Sequence, residues 1–197
     1  ALIGTTHLVM IEDIGLDGQQ NLAISYVATD LKPAADTLAR RLTDYLRSEG
    51  RPIKDGETFA FGLALLRFQT SPDGTYLETW ELDDGFQDYV LGATRSLRMW
   101  SEQLAVTTRQ QCELVPPRPD QLVVVSPGVL DGKPLEAVRY PAPEHMSGWW
   151  FVASPYTYSV DEMKPMHVQH LLAARPELAR YLGLPAGYRV DLTDSED

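Results

Sequence analysis

The sequence predicts an α+β fold, in which a largely antiparallel sheet packs against one long central helix and shorter flanking helices. Strand-like and helix-like segments are mixed along the chain without the regular strand–helix alternation of a parallel sheet. Short polar turns join neighbouring strand-like segments, as they do in antiparallel hairpins. A chain of 197 residues, 44% of them hydrophobic, can bury the core of one such domain. We therefore expect a single domain over residues 1–197.

The N-terminal quarter is predicted to form a hairpin followed by a helix. Residues 5–13 and 22–29 are strand-like, and the GLDGQQN sequence between them has the residue types of a hairpin turn. A helix is expected to begin near Ala34, because leucines and a tyrosine then recur on one helical face. Gly50 and Pro52 are expected to end this helix.

A second hairpin is predicted around an SPDG turn. Residues 58–69 form its first strand and residues 75–82 its second. On the second strand Glu78 and Trp80 share one face and Glu81 lies on the other, so that neither face is purely apolar. This pattern is typical of a strand at a sheet edge or beside a binding surface.

The longest helix is predicted to follow, from Phe86 to Leu114. Apolar residues recur at steps of three and four through this segment. Asp83 and Asp84 precede it, where the positive end of the helix dipole favours negative charge. At a rise of about 1.5 Å per residue, such a helix would span about 40 Å. The prolines that follow predict an extended connector, with a candidate subdomain boundary near residues 115–120.

The C-terminal part is predicted to combine short strands with an interrupted helix. Strands are expected over residues 122–125, 135–140, 149–152 and 188–192. Apolar residues recur at helical spacing from Val168 onward. Pro176 is expected to divide this helical segment in two, because proline suits the first turn of a helix but not its interior.

The C-terminal region contains two distinctive motifs, SGWWF and HLLAARPELARYLGLPAGYRV. Together with the upstream segment VVVSPGVLDGKPLEAVRYPAPEHMSGWW, they resemble the C-terminal signature of a bacterial immunity-protein family encoded beside polymorphic or type VI secretion toxins. The likeness is good in this region and loose in the N-terminal part. It implies a protein of bacterial competition, a toxin inhibitor that protects its producer by binding the producer's own toxin. It brings no catalytic residue with it.

The chain is acidic, with a formal net charge of −11 and a pI near 4.7. A surface of this charge repels nucleic acid and anionic lipid headgroups, and it attracts basic proteins. We therefore expect neither a nucleic-acid partner nor a membrane partner, whereas a basic toxin such as a nuclease would suit the charge. The alternative is that the acidity only keeps the protein soluble.

The acidic residues are unevenly distributed along the chain. No Lys or Arg lies between Arg67 and Arg95, whereas this interval is rich in Asp and Glu. A negative patch opposite a basic toxin would accelerate association and add specificity. We therefore predict that an acidic patch binds the partner, with a solvated turn and a helix N-terminus as the alternative. The members of the acidic patch are Glu78, Glu81, Asp83, Asp84 and Asp88.

Two aromatic residues are added to the predicted binding surface. If residues 149–152 form a strand, Trp149 and Trp150 point to opposite faces, so that one packs in the core and the other can anchor a partner. Trp149 is our candidate anchor, and packing of both rings within the domain is the alternative. Tyr156 follows in a predicted loop and is a further candidate contact.

The sequence contains no recognisable catalytic motif. It lacks a G-x-S-x-G nucleophile elbow, a cysteine with a local histidine partner and a glycine-rich phosphate loop. His145, His167 and His170 are the residues that a metal-dependent enzyme would use, but no HExxH motif and no third ligand on the helix accompany them. We predict a protein that is not an enzyme and needs no cofactor or metal. The alternatives are a small metal-dependent enzyme and a secretion adaptor or chaperone for an effector.

The compartment is predicted from cysteine usage and from hydropathy. The single cysteine, Cys112, excludes an intramolecular disulfide and suits a reducing compartment. No apolar run reaches the ~20 residues that span a bilayer, and the N-terminus lacks a signal-peptide layout. These features favour the cytoplasm, with the periplasm as the alternative if a leader was removed before Ala1.

Overall fold

The structure, a computed structural model, describes residues 5–155 and 159–193. It confirms the α+β class, with helices and mainly antiparallel strands. The chain divides into two compact units, Ala1–Ser101 and Glu102–Asp197, and each contains one sheet. The single domain with a candidate boundary near residues 115–120 stays a prediction.

The first unit contains the two predicted hairpins and the first helix. Its elements are β1 (His7–Ile11), β2 (Asn21–Tyr26), α1 (Lys32–Glu49), β3 (Thr58–Phe61), β4 (Ala64–Thr70), β5 (Tyr76–Leu82), β6 (Tyr89–Leu91) and the start of α2 (Thr94–Arg109). The strand order is β1-β2-β5-β4-β3, and β6 pairs with β5. These pairs are antiparallel except for β2 with β5, which is parallel.

Helix α1 forms where the leucine spacing predicts it. Its buried face consists of Ala34, Ala35, Leu38, Leu42 and Leu46. The helix ends at Gly50, which adopts a left-handed φ of 64° and donates its N–H to the Leu46 carbonyl (3.0 Å). The rings of Tyr45 on α1 and Phe59 on β3 are in contact, with 5.3 Å between their centroids. The apolar stripe of α1 thus belongs to the core of the first unit.

The predicted helix from Phe86 to Leu114 is wrong in its extent. Helix α2 covers Thr94–Arg109, and strand β6 precedes it. Gly92 separates the two elements, because its φ of 107° lies outside the helical region. Its N–H donates to the Thr79 carbonyl across the sheet (2.8 Å). Apolar residues before Gly92 therefore pair with the sheet and do not extend the helix.

Strand β5 is an inner strand, so the expectation of a sheet edge at this position is wrong. β4 pairs along one side of β5, and β2 and β6 share the other side. Leu77, Thr79 and Glu81 point to the buried face of the sheet. Glu78 and Trp80 point to the opposite face, where they are half-buried.

The second unit contains the rest of α2 and the C-terminal strands. Its further elements are β7 (Leu122–Val125), β8 (Leu135–Arg139), β9 (Met146–Ala153), β10 (Lys164–His167), α3 (Val168–Ala174) and β11 (Arg189–Leu192). The strand order is β10-β7-β9-β8-β11, in which β7 and β9 run parallel. As predicted, the helical segment breaks before Pro176, and a 3-10 turn covers Pro176–Tyr181. Strand β10, a short edge strand in which Pro165 is tolerated, is not predicted from the sequence.

Arg139 on β8 is a buried cation in the second unit. It is 8% exposed, and its guanidinium donates to the backbone carbonyls of Ser147 (3.0 Å), Leu184 (2.6 Å) and Val115. It also lies over the ring of Trp149. Burial lowers the pKa of Arg139, and the carbonyl dipoles replace the water that the cation loses. The side chain therefore joins segments that are far apart in the sequence.

Candidate partner-binding surfaces

The acidic patch lies in the first unit, on β5 and in the turn that follows it. Glu78 and Asp83 are half-buried, Asp84 and Asp88 are exposed, and Glu81 is buried. The five predicted acids therefore follow one another along β5 and its turn, with Glu78 and Glu81 on opposite faces of the strand. They differ, however, in what they contact.

Glu81 caps the N-terminus of helix α2. Its carboxylate accepts hydrogen bonds from the backbone N–H groups of Arg95 (2.9 Å) and Ser96 (2.6 Å), and from the Ser96 hydroxyl (2.7 Å). N–H groups in the first turn of a helix have no intrahelical acceptor, so the carboxylate supplies one. Burial raises the pKa of Glu81, and these hydrogen bonds oppose the rise. With 5% of its surface exposed, Glu81 serves the fold and offers little surface to a partner.

Asp83 and Asp84 shape the turn between β5 and β6. The Asp83 carboxylate accepts a hydrogen bond from the backbone N–H of Gln87 (2.9 Å), which lowers the pKa of Asp83. Asp84 forms an ion pair with Arg95 (3.1 Å), whose guanidinium lies 4.1 Å from the ring centroid of Phe86. Part of the negative charge of the acidic patch is therefore compensated locally.

Glu78 and Asp88 differ from Asp84 in their ion pairing. Within residues 5–155 and 159–193, no ion pair joins either carboxylate to a Lys or Arg. Glu78 lies on the β5 face opposite to Glu81 and shares that face with Trp80. On the same face the strand register places Gln69 opposite Glu78 and Arg67 opposite Trp80, so a cation of the fold lies diagonal to Glu78.

The two tryptophans of SGWWF occupy opposite sides of β9, as their alternation predicts. Trp149 is fully buried, stacks on Phe151 with 5.8 Å between ring centroids, and donates its Nε1 hydrogen to the Leu182 carbonyl (3.2 Å). Trp150 is half-buried and lines a surface groove. The structure therefore places Trp149, the predicted anchor, in the core, and Trp150 is the ring at the surface.

Ser147 and Gly148 explain the rest of this motif. Gly148 has a φ of 83°, and a Cβ at this position would lie 2.0 Å from the Tyr140 carbonyl oxygen, so only glycine fits. The Ser147 hydroxyl donates to the Leu122 carbonyl (2.8 Å) and accepts the Trp149 N–H (3.2 Å), at a register shift between β7 and β9. This bulge determines which tryptophan enters the core. Gly148 is the residue whose type indicates this bulge in the sequence.

The groove beside Trp150 has a volume of about 540 Å³ and an apolar lining. Tyr140, Met146 and Trp150 form its walls together with Pro141 and Pro143. The rings of Tyr140 and Trp150 meet edge to face, with 6.4 Å between their centroids. Sequence reasoning misses this groove, because the two rings are brought together by the pairing of β8 with β9 and not by their spacing.

The remaining predicted residues do not form a chemical site. Tyr156 lies outside the described residues. The rings of His167 and His170 lie 5.8 Å apart, and His167 ends β10 rather than lying within α3. Over residues 5–155 and 159–193, no group of three or more His, Cys, Asp or Glu is placed to hold a metal ion. In the same ranges, no helix combines the length and the apolar character that crossing a bilayer requires.

Comparison with known proteins gives a match in the second unit. The family model of the Imm33-like domain matches residues 102–197. These bounds coincide with those of the second compact unit. No curated protein and no solved structure matches the chain. The first unit, which carries the acidic patch, lies outside the matched residues. The match supports an immunity-protein family, and the C-terminal unit is similar to the Imm33-like domain.

Proposed function

We propose that this protein is an immunity protein, which binds a cognate secreted antibacterial toxin and neutralises it. The observation that carries this proposal is the match of residues 102–197 to the Imm33-like domain. The toxin would be one that the producer delivers to competitors through type VI or a related polymorphic-toxin secretion system. The immunity protein would act in the producer's cytoplasm, where a toxin that returns from a sister cell reaches its target.

We infer that neutralisation occurs by occlusion and requires no reaction at this chain's side chains. A stable complex buries about 800 Å² on each partner. An interface of that size would cover a toxin's active site or the surface that holds its substrate.

A basic nuclease is the toxin class that the charge favours. The net charge of −11 attracts a positive surface, and nucleases need such a surface to bind their own substrate. The proposed contacts are Glu78, Asp83, Asp84, Asp88 and Tyr156. Glu81 and Trp149 are buried, so their role would be to hold β5, α2 and β9 in place beneath the contact surface.

Co-expression tests the proposed function directly. The product of the open reading frame adjacent to this gene is expressed in cells with or without this chain, and cell survival is measured. We expect the neighbouring protein to kill unless this chain is present, and the purified complex to lack toxin activity. An unrelated protein of similar negative charge is the control and should give no protection. Toxin that stays active within the complex would identify a secretion adaptor, and absence of both binding and protection would remove the proposal.

A further inference from the structure

Strand β1 forms one edge of the first sheet. Its five residues, His7–Ile11, pair with β2 in an antiparallel register that runs from His7 opposite Tyr26 to Ile11 opposite Leu22. Within residues 5–155 and 159–193, no strand pairs with the other side of β1, and no hydrogen bond joins its backbone to a segment other than β2. Alternate N–H and C=O groups of β1 can therefore pair with one more strand.

The edge strands of the second sheet carry features that discourage such pairing. Charged side chains and proline on an edge strand oppose the addition of another chain. β10 contains Lys164 and Pro165, and β11 contains Arg189 and Asp191. By contrast, residues 5–11 (TTHLVMI) include no Lys, Arg, Asp, Glu or Pro. β3, at the opposite edge of the first sheet, also lacks charge, but it has four residues against the five of β1.

The edge position of β1 leaves apolar side chains in water. Leu8 and Met10 share one face of the strand, and Leu8 is 57% exposed. On the other face Val9 is half-buried, whereas Ile24, which lies opposite it on β2, is fully buried. A further strand beside β1 would remove Leu8 and Val9 from water, which favours pairing.

The sequence of β1 suits pairing with itself. In an antiparallel pair of two copies that aligns all five residues, Val9 lies opposite Val9 of the second copy, and Leu8 lies opposite its Met10. The two leucines and two methionines would then gather on one face of the joined strands. This pair has a two-fold axis at Val9, which is the symmetry of a closed homodimer.

The residues at the ends of β1 also suit this arrangement. His7 begins the strand, and Glu12 and Asp13 follow its end. Antiparallel pairing brings the end of each strand to the start of the other, so that His7 of each copy would lie next to the acids of the second copy. An imidazole N–H can donate a hydrogen bond to a carboxylate. The two acidic ends would lie about 20 Å apart, well beyond the Debye length of about 8 Å at physiological salt.

We propose that two copies of this chain form a weak, reversible homodimer, in which the two β1 strands pair antiparallel about Val9. Pairing of two five-residue strands buries less than the ~800 Å² per partner of a standard interface, so we expect a Kd of about 10–100 µM. The net charge of −11 on each copy opposes association, and added salt should therefore strengthen the dimer. This inference does not rest on the proposed function, and binding of a basic toxin would respond to salt in the opposite way.

Sedimentation of the full chain at concentrations from about 1 µM to about 1 mM tests the dimer. Leu8→Lys changes a side chain that is more than half exposed, so the fold should persist. We expect it to raise the dimerisation Kd by at least about 10-fold, because the ammonium would lie against Met10 of the second copy. Leu130→Lys, at an exposed leucine of the second unit, makes the same change in net charge and should dimerise like wild type. Ala60→Lys places the charge on β3 and should also leave the dimer intact.

Disulfide cross-linking tests the register. Residues directly opposite each other in antiparallel strands have Cα atoms about 4.5–5.5 Å apart, a distance that a disulfide spans. With the native Cys112 replaced by serine, Val9→Cys should therefore give a covalent dimer on mild oxidation. Leu8→Cys is the matched control. Its counterpart lies diagonally across the pair, so we expect it to cross-link at least about 10-fold more slowly.

The outcomes for the dimer and for the proposed function are separate. A wild-type chain that stays monomeric at the highest concentration, or a dimer that Leu8→Lys leaves intact, would overturn the inference. Faster cross-linking of Leu8→Cys than of Val9→Cys would overturn the pairing about Val9. Circular dichroism checks the fold, and if Leu8→Lys unfolds it is replaced by Leu8→Ser, for which a wild-type Kd counts against the inference. A chain that dimerises but neither binds nor neutralises the toxin would remove the proposed function and leave the dimer standing.

Discussion

Among residues 5–155 and 159–193, each unit buries one charged side chain, the two are of opposite sign, and backbone groups form hydrogen bonds with both. In the first unit Glu81 accepts from the N–H groups of Arg95 and Ser96 at the start of α2. In the second unit Arg139 donates to carbonyls that include those of Ser147 and Leu184. Each side chain serves backbone groups that would otherwise be buried without a partner. A buried charge in this protein therefore marks a structural junction, and no ligand is needed to explain it.

The surfaces of the two units differ more than their interiors do. The acidic patch of the first unit carries exposed carboxylates, whereas the groove beside Trp150 in the second unit has an apolar lining. The first surface can discriminate between partners by charge, and the second only by shape. The Imm33-like match covers the second unit, so the charge selectivity that we propose lies in the part of the chain outside the match.

Removal of the buried cation should have the largest effect. Arg139→Met leaves several buried carbonyls without a donor, and we expect it to lower the free energy of unfolding by about 3 kcal/mol or more. The matched control is Arg189→Met, which removes an exposed arginine paired with Glu136 and should change stability little. Urea denaturation followed by tryptophan fluorescence measures both. Equal midpoints for the two variants would contradict a structural role for Arg139.

Gly148→Ala tests the bulge that separates the two tryptophans. The added Cβ would clash with the Tyr140 carbonyl oxygen and force a left-handed φ, so we expect a loss of about 3 kcal/mol. Gly132→Ala is the matched control, because Gly132 has a similar φ of 79° with open space around it. Its loss should be about 1 kcal/mol, from the backbone conformation alone. Both losses are measured by thermal or urea unfolding. Similar losses in the two variants would show that the close approach to the Tyr140 carbonyl oxygen adds little to the cost of the substitution.

Glu81→Gln tests the buried acid and its dependence on pH. The amide keeps only one acceptor oxygen, so we expect a loss of about 1 kcal/mol near neutral pH. Because burial raises the pKa of Glu81 above its ordinary value of 4.5, the folded state binds this proton more readily than the unfolded chain does. The stability that Glu81 contributes is thus fully present below pH 4.5 and is lost as the pH rises through the folded-state pKa.

Unfolding at a series of pH values checks this sign. The difference in unfolding free energy between wild type and Glu81→Gln should shrink as the pH is raised from acidic to neutral values. Glu78→Gln, on the opposite face of β5, is the control for the loss of one carboxylate and should change stability little. A difference that grows with increasing pH would mean that the hydrogen bonds from α2 outweigh the cost of burial.

The smallest expected effect concerns the exposed acids of the acidic patch. A double variant, Asp84→Lys with Asp88→Lys, should slow association with the toxin by about 10-fold at low salt and leave dissociation nearly unchanged. Both side chains are exposed, so the fold should not be affected. Stopped-flow association rates measure the effect, and added salt should reduce it. An effect on dissociation alone would place these acids within the interface and not around it.

Local sequence signals predicted much of the fold. The leucine spacing of α1, the turn residues of the hairpins and the valine run of β7 each act within a few residues, and the structure has these elements where they are expected. The errors lie where distant residues decide. Gly92 ends the predicted long helix because it bonds across the sheet to Thr79, and β10 exists only through its pairing with β7. Neither contact has a local sequence pattern.

The candidate site was predicted less completely than the fold. The acidic interval was visible as a run without Lys or Arg, but the burial of Glu81 depends on the backbone of α2, 14 residues further along the chain. Alternation predicted that Trp149 and Trp150 face opposite ways, yet it cannot tell which ring faces inward. The bulge at Ser147 and Gly148 decides that question. The contacts of Arg139, which reach residues up to 45 positions away, had no sequence signal at all.

The alternation along β5 has a consequence for mutational scanning. Odd-numbered positions from Leu77 to Glu81 face the interior, and the even-numbered positions Glu78 and Trp80 face away from it. Under the proposed function, polar substitutions at odd positions should lower the amount of folded protein in the cell. Substitutions at Glu78, a proposed contact, should leave that amount unchanged and reduce survival. Substitutions along this one seven-residue strand would then change the abundance of folded protein at odd-numbered positions and protection at an even-numbered position.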